Sequence, residues 1–320
     1  MPGDLLVFGA GSLVGSDFVR AAAERYSITA AGRNDPRPHG VRVAHFESVD
    51  LTDESALRRF LAGRQGDRAW VNFAARTDVD GCESERPADL GAIPVDVARS
   101  DTAWRMNAEV PGWIAEAASH SGTPFIHLST DFVFDGTHGP YEEPELPAPW
   151  GPKISWYGYT KGVGETRARE RDHSTTIVRI SYPYRSQYRP KPDFARNLLA
   201  RARARTLYPL YTDQQITPTW IPDVSRVVET LVEAPAPGSF HVASPSTTTP
   251  WKFAGLLLAA FGLAVPPPGQ SRLVDQPPAR GRAPRPLLGG LRDGRAEERG
   301  IVLTDYRAGI AQMLLDARVP

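Results

Sequence analysis

The chain has one cysteine, four lysines, no net charge and no apolar run long enough to cross a bilayer. The lone Cys82 excludes an intramolecular disulfide and fits a reducing cytoplasm. The 37 basic and 37 acidic residues cancel, so nothing in the charge balance favours nucleic acid or an anionic membrane as a partner. The basic run RARAR at 201–205 reads as a solvated helix face. The longest apolar stretch, AGLLLAAFGLAV at 254–265, is shorter than the roughly 20 residues of a spanning helix and reads as a core helix. DLLVFGA at 4–10 already reads as a buried strand, so no secretory signal is expected ahead of the fold. The seven histidines and the cysteine show no metal-ligand spacing, and no metal is expected.

Scarcity makes the lysines informative. They stand at 153, 161, 191 and 252, while the other basic residues are arginine. Lys161 lies in WYGYTKGVGE (156–165), four residues after Tyr157. That spacing puts both side chains on one helix face, where a tyrosine can pass a proton to a carbonyl and an adjacent ammonium can lower its pKa. An exposed aromatic at a helix start followed by a chance lysine has the same spacing.

Apolar runs alternate with helical patterns through the first 180 residues. Strands are expected at Leu5–Gly9, Ile28–Ala31, Val41–Phe46, Trp70–Ala74, Phe125–Ser129 and Thr176–Ile180. Helices are expected at Leu13–Arg25, Glu54–Ala62, Ala103–Ser119 and Tyr157–Arg171. This alternation calls for an α/β fold: a Rossmann-type, doubly wound parallel sheet covered on both faces. After Ser181 the pattern loosens, with a strand at 239–244, a helix at 251–262, a Pro/Gly/Arg-rich stretch at 265–290 and a last helix near 305–317. The expected organisation is a nucleotide-binding domain at 1–180 and a smaller substrate lobe at 181–320, with parts of 215–245 returning to the first.

FGAGSLVG (8–15) falls between the first strand and the first helix, where glycine admits a pyrophosphate to the backbone and the helix N-terminus favours its charge. A tight strand-to-helix turn also needs glycine for geometry alone. The second strand ends in AAGRND, without an acid at the ribose position. Arg33 there suits a 2′-phosphate, hence NADP over NAD, although a surface arginine in a turn is the plainer reading.

With STDFVFDG (129–136) and YGYTK (157–161), the chain resembles the extended short-chain dehydrogenases/reductases and, more narrowly, the dTDP-4-dehydrorhamnose reductase family. VNFAARTDVDGCESE (71–85), MNAEVPGWIAEAA (106–118), VRISYPY (178–184), DFARNLLARA (193–202), TDQQITPTWIPDV (212–224) and GSFHVAS (238–244) follow in that family's order. The resemblance implies NADPH-dependent reduction of the 4-keto group of a dTDP-type 6-deoxyhexose. Tyr157 would be the proton donor, Lys161 its electrostatic partner and a ribose ligand, and Thr130 the group that orients the carbonyl. It further implies that Gly9, Gly11, Ser12, Leu13 and Gly15 meet the cofactor phosphates, with Asp50 and Leu51 at the adenine. Phe73, Ala74 and Ala75 would line the nicotinamide side, and Thr77, Val79, Asp131, Phe132, Tyr182 and Arg285 the sugar. Relatives of this kind often form homodimers.

The chain also departs from that pattern. Ser12 replaces the middle glycine of the phosphate loop, and the segment at 88–104 is longer than expected. RPLLGGLR (285–292) keeps Arg285, Pro286 and Leu291 but has Gly289 at a serine position and Arg292 at an acidic one, and Tyr182 stands where tryptophan is frequent. Two alternatives follow: reduction of another natural-product ketone on the same scaffold, or a non-catalytic NADP-binding regulatory subunit. A dehydratase is disfavoured because Asp131 is followed by Phe132 rather than glutamate.

Overall fold

The computed structural model describes residues 3–88, 102–186, 192–263, 268–276 and 282–317. Most of the long 88–104 segment therefore lies outside the described residues. Seven parallel strands form one sheet in the order β3-β2-β1-β4-β5-β6-β8. They are β1 (Asp4–Phe8), β2 (Ser27–Gly32), β3 (His45–Ser48), β4 (Ala69–Asn72), β5 (Phe125–Thr130), β6 (Thr176–Ile180) and β8 (Gly238–Val242). The order reverses between β1 and β4, which opens a crevice at the carboxyl ends of the central strands, the usual ligand position in such sheets. A short pair, β7 (Leu210–Tyr211) with β9 (Gln270–Ser271), lies apart from this sheet.

Apolar residues cover both faces of the sheet. On one, α1 (Gly15–Ala22) and α7 (Ile221–Glu233) pack Phe18, Val224 and Val228 against Leu5, Val7 and Val71. On the other, α2 (Glu54–Ala62) and α4 (Val110–Ser121) bring Leu57, Ile114 and Ala115 against Leu6, Phe8 and Trp70. A separate cluster joins α6 (Phe194–Arg203), α8 (Pro250–Ala260) and α9 (Tyr306–Ala317) through Leu198, Phe253, Leu257 and Ile310 around Tyr184 and Trp220.

Three expected elements shift. The third strand spans His45–Ser48 rather than Val41–Phe46. Pro36 precedes a short 3-10 turn that holds Pro38 and is closed by Gly40 at φ 79°, and pairing starts only where His45 meets Thr29. The first helix begins at Gly15 rather than Leu13, because residues 9–12 are committed to a turn in which Ser12 N donates to Gly9 O. The helix expected at Ala103–Ser119 starts as a π-helical turn, Trp104–Glu109, before α4 takes over and ends at Gly122 in the left-handed conformation. Helix α6 was expected only as the basic helix face at 201–205, and α7 had no expected counterpart. In α7 the proline that reads as punctuation, Pro222, sits in the first turn, where no backbone donor is required.

Candidate active site

The stretch WYGYTKGVGE forms the first turns of α5 (Trp156–Arg171), capped by Ser155, whose hydroxyl accepts from Gly158 N at 3.0 Å. A β-carbon on Gly158 would overlap the Phe132 carbonyl, and one on Gly164 would overlap that of Asn107. The glycines therefore let the helix lie directly on the turn that follows Thr130 and on the π-helical turn. Asn107, in the π-helical turn, accepts from Arg76 N at 2.9 Å and donates to Arg76 O at 3.0 Å and Thr160 Oγ1 at 3.3 Å. It thereby ties the wall formed by residues 73–77 to α5.

Tyr157, Lys161 and Thr130 line one cavity of about 500 Å³ at the crevice. Ser12, Leu13, Phe73, Ala75, Thr77, Val79, Asp131, Phe132, Tyr182 and Arg285, all inferred site residues, line it too. Burial pushes the Tyr157 phenol well above its ordinary value, and the neighbouring Thr130 hydroxyl offsets part of that shift. The phenol is thus a neutral acid at physiological pH. Burial also pulls Lys161 down to about 8, against the pull of Glu165 one turn further on. The lysine Nζ donates to Leu128 O at 2.7 Å and meets His127 Nε2 at 3.1 Å.

Around the sugar end, Asp131 accepts from Ser181 Oγ at 2.7 Å and from Thr130 Oγ1 at 3.4 Å, and burial raises it to about 6. Tyr182 holds a positive φ of 43°, a strained value for a non-glycine residue, and its hydroxyl accepts from Gln214 Nε2 at 2.9 Å. Arg285 lies 5.8 Å from the Phe132 ring centre and pairs with Asp80 at 2.9 Å. Ser181, Gln214 and Asp80 were not expected here. Each is distant in sequence from its partner, and only the fold brings the pairs together.

The remaining inferred residues surround the cofactor end. Gly9 at φ 72° lies so close to β4 that a side chain would strike Ala74 N, and Gly11 faces Pro36. Ser12 Oγ accepts from Gly15 N at 3.0 Å, so the serine in place of glycine caps the first amide of α1. Ala74 N donates to Asn72 Oδ1 at 2.9 Å. Asp50 closes a turn by accepting from Thr52 N and Thr52 Oγ1, and the Leu51 side chain is buried in the core beneath α2. Arg33 is exposed just past β2. The nearby Asp35 carboxylate is held below its usual pKa by Arg37, which donates to it through Nε, its terminal nitrogen and the backbone N–H. A glycine turn without room for side chains, opening a helix beside a cavity, fits a dinucleotide.

Comparison with known proteins agrees. The model of the RmlD substrate binding domain family matches residues 3–319. A probable low-salt glycan biosynthesis reductase of Haloferax volcanii is 34% identical over 259 residues, covering 80% of this chain and 79% of that protein. The dTDP-4-dehydrorhamnose reductase of Burkholderia thailandensis is 28% identical, with 98% of each chain covered. A crystal structure of dTDP-4-dehydrorhamnose reductase from Bacillus anthracis in complex with NADP superposes with a TM-score of 0.75 at 21% identity, covering 99% of both chains. The chain belongs to the RmlD family of dTDP-4-dehydrorhamnose reductase-like proteins, within the extended short-chain dehydrogenases/reductases.

Proposed function

We propose that this chain is an NADPH-dependent ketoreductase that reduces the 4-keto group of a nucleotide-activated 6-deoxyhexose, with a dTDP sugar as the preferred substrate class. The observation that carries this reading is the meeting of Thr130, Tyr157 and Lys161 in one cavity. NADPH, when bound, supplies the hydride. Ser12, Leu13 and the Gly9–Gly15 turn would hold its phosphates, Phe73 to Ala75 its nicotinamide side, and Arg33 its 2′-phosphate. Thr130 orients the ketone, Tyr157 gives its proton to the carbonyl oxygen, and Lys161 stabilises the phenolate left behind. In the same proposal residues 1–180 carry the cofactor and 181–320 the sugar, with parts of 215–245 returning to the cofactor domain, and the protein is a cytoplasmic homodimer.

Deuteride supplied on the nicotinamide should appear at C4 of a dTDP-4-keto-6-deoxyhexose. Product without deuterium at C4 would sink the reading. Since Lys161 acts as an ammonium, kcat/KM for reduction should fall as pH rises through about 8. A profile flat to pH 10, well beyond that titration, would contradict its electrostatic role. Arg33→Ala should raise the Kd for NADP by roughly tenfold, the worth of one charge-assisted hydrogen bond, while Kd for NAD stays nearly unchanged. Calorimetry with both nucleotides checks this, and equal losses would show that another group reads the 2′-phosphate.

A further inference from the structure

His127 lies on β5, fully buried, between Asn72 on β4 and Lys161 on α5. Its contacts constrain its proton. Asn72 Oδ1 accepts from Ala74 N at 2.9 Å, which fixes the orientation of that amide. Its Nδ2 donor therefore faces His127 Nδ1 at 3.1 Å, so Nδ1 must accept. A neutral ring that accepts at Nδ1 carries its hydrogen on Nε2, and Nε2 is the atom 3.1 Å from the lysine nitrogen. The lysine already donates to Leu128 O at 2.7 Å. To receive the imidazole N–H it must present a lone pair, which only the neutral amine has. An ammonium at 161 would instead place two donors face to face. The alternative is to move the ring proton to Nδ1 and turn the Asn72 amide, at the cost of the Ala74 bond.

We propose that His127 is a positioning residue for Lys161: held by Asn72 with its proton on Nε2, it turns an N–H toward the lysine nitrogen, which disfavours the ammonium the reaction uses and weakens that nitrogen's hold on its proton. This rests on the reading of Tyr157 and Lys161 as the acid and its partner. The other ionisable groups nearby do not supply the effect. Glu165, on the same helix as Lys161, favours the ammonium, and Asp131 acts on Tyr157. Burial lowers the proton affinity of Lys161 in its own right, and His127 adds to it through a directed bond.

The scarcity of lysine makes the test direct. With only four lysines, ¹³Cε-labelled protein gives four resonances to follow, and the Lys161 titration can be read without substrate or turnover. In His127→Gln the side-chain oxygen can turn to accept from an ammonium, so the Lys161 titration should move up by roughly half to one pH unit, the worth of one neutral hydrogen bond. An unmoved or lowered titration overturns the proposal. Imidazole ¹⁵N shifts of the wild-type protein at pH 9 give a second readout that survives a variant that does not fold. Nε2 protonated with Nδ1 bare is expected, and Nδ1 protonated overturns the proposal. Neither readout depends on ketone reduction, so loss of the reductase reading would appear separately, as absent NADPH oxidation with these results intact.

Discussion

Tyr157→Phe should lower kcat/KM for ketone reduction by roughly 10²–10⁴-fold, the usual worth of a positioned general acid, and leave the Kd for NADPH near the wild-type value. The phenylalanine keeps the ring that packs edge-on against Phe132 at 5.8 Å, and with it the start of α5. Only the hydroxyl is lost, the group beside Thr130 that carries the proton. Thr130 and Lys161 stay in place, so residual turnover measures orientation and electrostatics without proton donation. Steady-state NADPH oxidation and calorimetric NADPH binding on the same preparation separate the two effects. Wild-type turnover in the variant would remove Tyr157 from the mechanism.

Glu165→Ala should cost about 3–5 kcal/mol of folding stability, read as a lowered urea midpoint, because it strips a buried arginine of its charge partner. Glu165 and Arg179 are 1% and 0% exposed, and the guanidinium donates to the carboxylate at 2.7 Å. Arg179 also donates to Glu145 O at 3.0 Å and lies 4.9 Å from the Phe134 ring centre, so it cannot move to water when the carboxylate goes. The pair joins α5 to β6 one turn beyond Lys161, so its loss also loosens the helix that carries the site. Alanine is a good helix former, which keeps helix propensity out of the comparison. A midpoint within error of wild type would show that water reaches Arg179.

The parts of the fold that could be read in advance are those whose physics is local. The strands at β1, β5 and β6 are short apolar runs bounded by turns, and α5 is announced by a tyrosine and a lysine about one helical turn apart. The third strand moved because Val41, which reads as a strand residue, is used as a core anchor just after the left-handed Gly40 turn. Helix α6 was half visible as the basic face at 201–205, and α7 was hidden by Pro222. Within the site, Thr130, Tyr157 and Lys161 could be placed by motif, as could the Gly9–Gly15 turn. The pairs Asp80–Arg285, Ser181–Asp131 and Gln214–Tyr182 join residues 205, 50 and 32 positions apart. His127 gave no sign within its strand, where a buried histidine resembles any other apolar-strand residue until Asn72 and Lys161 meet it from two other elements.

The most direct test of the central claim is NADPH oxidation, followed by absorbance, with a panel of dTDP-4-keto-6-deoxyhexoses beside simple polyketide ketones. Oxidation driven by a sugar nucleotide and lost in Tyr157→Phe is the predicted result. Tight NADPH binding with no oxidation by any sugar nucleotide would contradict it, and would leave either reduction of another ketone or a cofactor-holding regulatory subunit.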